Sequence, residues 1–131
     1  MAGTFKFELV SPERVLMSAD ASEVLVPGAE GDFTVLAGHA PVISTLRPGV
    51  IEAKMADGKA SRHYVHGGFC EVTPDSLTVL AEKAHDVATL DSAAIAGHIK
   101  DAESALASAA AGDDDARLAA NTAIARLKEL A

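Results

Sequence analysis

The sequence is poor in the residues that build most nucleic-acid, metal and redox sites. It holds a single cysteine, Cys70, which excludes an internal disulfide and a multi-cysteine zinc site. Such usage fits a reducing compartment. There is no tryptophan, one tyrosine and four phenylalanines, too few aromatics for a base-stacking platform. Positive charge is also scarce: 11 Lys and Arg stand against 19 Asp and Glu, a formal net charge of −8. Nucleic-acid binding depends on clustered Lys and Arg that displace counterions. A bare electrostatic grip on an anionic membrane needs the same groups, so neither fits. The longest stretch without Asp, Glu, Lys or Arg runs from Phe33 to Leu46. Gly38 and Pro41 interrupt it, and it is too short to span a bilayer. The first residues show neither a signal-peptide nor an Arg-rich transit pattern. Any membrane association is therefore expected to run through another protein, without direct lipid insertion.

What is present suffices for one compact domain, or a small domain with an appendage: 131 residues, 49% of them hydrophobic. Up to about Ala88 the pattern has a period of two. "TFKFELV" alternates Phe5, Phe7 and Leu9 against Lys6 and Glu8, "SPER" turns the chain, and "SEVLVPG" is a strand stopped by Pro27 and Gly28. "GVIEAKMADGKASRHYVHGG" reads as a hairpin with a type I′ turn at Asp57-Gly58. "FCEVT", "PDS" and "LTVLAE" read as strand, turn and strand. Short strands with frequent turn signals indicate a β-sandwich or barrel.

After Thr89 the period changes. Asp91 is placed to cap a helix, and Ile95, Ile99, Ala102 and Leu106 recur on one helical face. Gly112 breaks the pattern, and Asp113, Asp114 and Asp115 precede a second stripe of Ala120, Ile124, Leu127 and Ala131. Two short helices joined by a tight turn form an antiparallel hairpin. Alanine favours the helix but buries little apolar area, so the hairpin is expected to be weakly held.

Candidate reactive groups are few. The stretch "PGAEGDFTVLAGHAP", residues 27–41, is glycine-rich and contains His39. It lacks the Gly-Lys-Ser/Thr ending of a phosphate-binding P-loop, and no helix follows to supply a dipole. Its glycines are better read as backbone permissions that give the loop a specified shape. His63 and His66, three apart on a strand, face opposite sides and do not easily chelate one metal; His98 has no ligand partner one turn away, and the histidines, His85 among them, read as surface or packing groups. Cys70 lies in an alternating strand with no base adjacent. No catalytic group, metal site or cofactor is expected. Residue reading alone ends at a small acidic β-sandwich with a helical hairpin.

The order of motifs goes further. "VPGAEGDFTVLAGHAPVISTLRPG" closely resembles the signature of the epsilon subunit of F-type ATP synthases, carried here by Pro27, Gly28, Gly31, Gly38, His39, Ala40, Pro41, Leu46, Pro48 and Gly49. "GGFCEVTPDSLTVLAEKA" and "SPERV" match the family pattern as well. The resemblance implies an α+β chain: a ten-stranded β-sandwich over residues 1–88, then an antiparallel two-helix hairpin over 89–131. It implies a non-catalytic rotor subunit of the central stalk, with catalysis in the alpha and beta subunits. It assigns Gly38, His39, Ala40 and Pro41 to a face for the gamma subunit and Glu30, Gly31 and Asp32 to the c-ring. The expected location is peripheral, on the cytoplasmic side of a bacterial inner membrane. Many family members bind ATP through a hairpin motif of the form Ile/Leu-Asp-x-x-Arg-Ala. Here Leu90 and Asp91 match, but Ala94 replaces the arginine, and alanine offers a phosphate no bidentate donor. The alternative role, a nucleotide-sensing inhibitor of hydrolysis whose hairpin touches the beta subunits, is weakened by that change. It is weakened too by a second helix holding only Arg117, Arg126 and Lys128.

Overall fold

A computed structural model describes residues 3–110 and 112–130. Seven strands come first: β1 (Phe5–Val10), β2 (Val15–Gly28), β3 (Gly31–Leu36), β4 (Val42–Thr45), β5 (Gly49–Met55), β6 (Ala60–Val72) and β7 (Ser76–Asp86). In β1 the alternation resolves as expected: Phe5, Phe7 and Leu9 are buried while Lys6 is exposed. The ladder order is β1-β7-β6-β5-β2-β3, with β4 on β6. Because β1 also pairs with β2, the sheet closes on itself into a flattened barrel, or sandwich. Phe7, Leu9, Val24, Val26, Ile51, Leu77 and Val79 fill it.

Among the described residues there are seven strands, not the ten expected. The difference lies in long strands that pass through bends without leaving their ladders. β2 pairs first with β1 and then with β3 and β5, and its ladder with β5 shifts register between Ala21 and Glu23. Ser22, the extra residue there, donates its hydroxyl to the Lys54 carbonyl at 3.1 Å. β6 pairs first with β5 and then with β4, yet holds one register against β7 throughout. The bend falls at Gly67 and Gly68, both at positive φ, where a Cβ on Gly68 would collide with the Leu80 carbonyl. "HYVHGG" and "FCEVT" are therefore one strand, not two.

The Asp57-Gly58 turn also differs from expectation. A type I′ turn needs positive φ at both central residues. No non-glycine residue has one among the described residues. Instead Gly58 alone is left-handed, its N–H donates to the Met55 carbonyl at 3.0 Å, and Asp57 accepts from the Lys59 N–H at 2.9 Å. An ordinary turn closed by a left-handed glycine produces the same reversal.

Beyond β7 a single 3-10 turn, Val87–Thr89, leads to α1 (Ser92–Ser108) and α2 (Asp114–Leu130). Asp91 caps α1, accepting from the Ala94 N–H at 2.7 Å, and Asp113 accepts from Ala116 at 3.1 Å. Of the first stripe, Ile95 and Ala102 are buried and Ile99 and Leu106 half-buried. Of the second, Ala120 and Leu127 are buried and Ile124 half-buried; Ala131 lies outside the described residues. The helices are 17 residues each, longer than the stripes alone suggested. Their contact with the sheet is a small cluster in which Ile95, near the start of α1, and Leu127, near the end of α2, both pack on Tyr64. The helices therefore run antiparallel.

Candidate docking surfaces

Residues 27–41 form two separate features joined by β3. At one end, Pro27 and Gly28 finish β2 and Glu30 stands exposed in the turn before Gly31. This tip is fastened to the segment 45–49. The Ala29 N–H donates to the Thr45 carbonyl at 2.9 Å and the Arg47 N–H to the Pro27 carbonyl at 3.0 Å, with a bridge between Gly28 and Leu46. Glycine is required at 28, where a Cβ would sit 2.7 Å from the Gly31 carbonyl oxygen and 2.9 Å from the Phe33 ring. Asp32 accepts a 2.6 Å charged hydrogen bond from Arg47. Its carboxylate thus has a partner within the chain, which sequence spacing did not reveal.

At the other end of β3, about 17 Å away along a six-residue strand, lies the 37–41 loop. Gly38 is left-handed and its N–H donates to the Pro74 carbonyl at 2.9 Å. The His39 ring sits 6.2 Å from that of Phe33, and its Nδ1–H donates to the Ala40 carbonyl at 2.7 Å. That local hydrogen bond makes His39 a loop-ordering group. Gly38, Ala40 and Pro41 are exposed.

The chain continues directly from Pro41 into an apolar surface that the sequence reading missed. Ile43 is 70% exposed and Val42 39%, an unusual exposure for strand residues. Across the ladders, Thr45 pairs with Phe69, Phe69 with Leu80 and Leu80 with Val10, so one outward row crosses β4, β6, β7 and β1. Phe69 and Leu80 remain 43% and 38% exposed. Beside them Val10, Pro12, Phe69 and Leu80 line a groove of about 240 Å³. The available signal was that "FCEV" and "LTVLA" are apolar at both parities: Cys70, Val79 and Ala81 point inward while Phe69 and Leu80 point out.

The candidate reactive side chains are buried, separated or already engaged. Cys70 is fully buried, and burial pushes its thiol up, away from the reactive thiolate. Among the described residues no three His, Cys, Asp or Glu side chains could hold a metal ion. His63 is buried with Nδ1 unpartnered, and His66 lies on the opposite, hairpin-facing side. Asp91, which the resemblance placed in a degenerate nucleotide motif, is engaged as the α1 cap, while Ala94 is half-buried. Among the described residues no helix is long and apolar enough to cross a membrane.

Comparison with known proteins identifies the family. Residues 4–87 match the family model described as ATP synthase, Delta/Epsilon chain, beta-sandwich domain. The ATP synthase epsilon chain of Brucella anthropi is 50% identical over 113 residues, covering 86% of this chain and 84% of that protein. The chain belongs to the epsilon-chain family of ATP synthases. The epsilon chain of Brucella canis is 49% identical over the same length. The fold recurs in a chain of the Euglena gracilis mitochondrial ATP synthase OSCP/F1/c-ring structure, with a TM-score of 0.73 at 21% identity, covering 97% of this chain and 79% of that one. It recurs in the Tetrahymena thermophila mitochondrial ATP synthase central stalk/c-ring, with a TM-score of 0.67 at 10% identity, covering 98% and 96%. Family membership accounts for the sandwich fold over residues 4–87. It does not by itself say what each surface touches.

Proposed function

We propose that this chain is a non-catalytic rotor subunit of the central stalk of a proton-translocating F-type ATP synthase. In this reading the sandwich, residues 1–88, binds gamma and the c-ring and turns with them, coupling ion-driven rotation to ATP synthesis. The hairpin, residues 89–131, is a separate accessory element. The observation that carries the reading is the exposed apolar face on a closed sandwich, where Ile43 stands two residues from Thr45, the β4 partner of Phe69, and Phe69 pairs with Leu80; the chain enters it directly from residues 38–41. Exposed apolar surface of this kind marks a protein interface. A closed, densely packed sheet transmits strain with little deformation, as a torque-bearing part requires. The gamma face thus comprises Gly38, His39, Ala40 and Pro41 with the row beside them. The tip at Glu30, Gly31 and Asp32, at the far end of β3, is the c-ring contact. Such a subunit sits peripherally on the cytoplasmic face of a bacterial inner membrane, and its role requires no cofactor.

Two cysteine cross-links in the assembled enzyme test this arrangement. One joins position 32 to the c-ring polar loop, and the other joins position 40 to gamma. Both should form. Failure of the first with the second intact refutes the placement of the tip; failure of the second refutes the gamma face. The nucleotide-sensing alternative draws no support here, since position 94 supplies no guanidinium and Asp91 is committed to its cap.

A further inference from the structure

Tyr64 and His66 alternate on the outer face of β6 and, across the ladder, stand opposite His85 and Lys83 of β7. The hairpin covers this face. From α1, His98 brings its ring to 4.3 Å from that of His85, tilted by 37°. His66, Lys83, His85, His98 and Asp101 line a cleft of about 110 Å³ beneath the helices. Three imidazoles and an ammonium thus converge where helix meets sheet, with Ile95, Leu127 and Tyr64 forming the apolar contact next to them.

We propose that this cleft is a proton-sensitive latch: neutral His66 and His85 permit the hairpin, which brings His98 against His85, to dock, and their protonation drives it off the sandwich. The inference goes beyond the stalk role and concerns the isolated chain. The charges facing the cleft support it from every side. Glu82 and Lys83 come from β7, Asp101 from α1, and Glu13 and Arg14 from the β1–β2 turn; α2 contributes only Ala123 and Leu127. Glu13 and Arg14 offset each other. Glu82 and Asp101 can balance Lys83 and one imidazolium, but not a second. Adding charge to closely spaced imidazoles in a partly desolvated cleft is therefore unfavourable.

The titration directions agree. Burial pushes His66 down, Lys83 lowers it further, and Glu82 opposes both. Burial likewise pushes His85 down, followed by the nearby His98 and then Lys83. A histidine depressed in the docked form takes up its proton more readily once the hairpin is released. Docking is therefore fully favoured above the ordinary histidine value near 6.5 and weakens as pH falls below it. Each proton gained on opening raises the ratio of open to closed chain by up to about tenfold per pH unit.

The test is nuclear Overhauser spectroscopy on the full chain at pH 7.5 and 5.5. The single tyrosine makes contacts between Tyr64 ring protons and the Ile95 and Leu127 methyl groups an unambiguous report of docking. Contacts between Phe7 and Leu77, neighbours across β1 and β7, report on the sandwich. In the wild-type chain the Tyr64 contacts should fade at pH 5.5 while the Phe7–Leu77 contacts persist. In the His85→Gln/His98→Gln double variant both should persist. The single variant His98→Gln, at a half-buried helix position, serves if the double variant folds poorly, and should shift the loss to lower pH. Three results overturn the latch: Tyr64 contacts intact in the wild type at pH 5.5, the same loss in the variants, or simultaneous loss of sandwich and hairpin contacts.

Discussion

Leu127 is the side chain whose loss should separate hairpin from sandwich most cleanly. It is 1% exposed and shares its cluster with Ile95 and Tyr64. The buried alanines of the hairpin, at 102, 120 and 123, add little apolar area. Burying Leu127 and Ile95 contributes roughly 1.5–3 kcal/mol each, so the seat rests on about 3–6 kcal/mol before ordering costs. Leu→Ala at a buried site costs about 2–5 kcal/mol. Taking about 2–3 kcal/mol as the share lost from docking, Leu127→Ala should raise the detached fraction by roughly 30- to 150-fold. The reporter is Tyr64, whose hydroxyl is pushed up to about 12 by burial under the hairpin. A raised value means that docking is fully favoured below the ordinary tyrosine value of about 10 and is lost as pH climbs through about 12. Alkaline titration of tyrosinate absorbance should therefore give a midpoint near 12 in the wild type and one moved toward 10 in Leu127→Ala. Urea unfolding of the sandwich core should change much less. An unmoved midpoint would refute the latch energetics. A sandwich destabilised by the full amount would show that hairpin and sandwich unfold as one unit.

Gly68→Ala should destabilise the sandwich by about 3 kcal/mol or more, because the Cβ meets the Leu80 carbonyl at a left-handed residue; urea midpoints measure it, and a loss below about 1 kcal/mol contradicts the close approach. ATP should bind the isolated chain in the millimolar range or more weakly, about −4 kcal/mol at best, and micromolar affinity by calorimetry would contradict the reading of Ala94. His63 is buried, and burial outweighs Asp86 in pushing its imidazole down, so its contribution to stability is full above about 6.5 and declines as pH falls below that value. His63→Phe should flatten that part of the stability–pH curve, and an unchanged curve would rule out His63 as its source.

Local order was legible wherever one residue type forces one geometry. The alternation Phe5, Phe7, Leu9 specified an inward face, and Asp91 followed by Ile95 and Ile99 specified a capped helix start. What escaped depended on distant segments meeting. The continuity of β6 through Gly67 and Gly68 was hidden because paired glycines ordinarily signal a turn; here they let the strand bend against Leu80. Asp32 and Arg47 meet across 15 positions, and His85 meets His98 only because the hairpin folds back over β7. The apolar row was the costliest miss. Alternation assigns one parity to the core, and Phe69 and Leu80 fall on the other, so they passed for ordinary strand residues. The 27–41 stretch was read as one shaped loop, but strand β3, Gly31–Leu36, runs through its middle and puts its two turns at opposite ends of that strand.

The central claim is that the outer face beside residues 38–41 holds the chain to the stalk, and co-purification with gamma tests it most directly. The full-length chain should elute with gamma as a stable complex. The double variant Ile43→Asp/Phe69→Ser removes the two most exposed apolar side chains of this face without touching the core. It should fold with an unchanged urea midpoint and bind gamma at least about 100-fold more weakly, the loss of two interface anchors at about 1.5 kcal/mol or more each. A correctly folded double variant that binds gamma as tightly as the wild type, or a wild-type chain that forms no complex, would contradict the account.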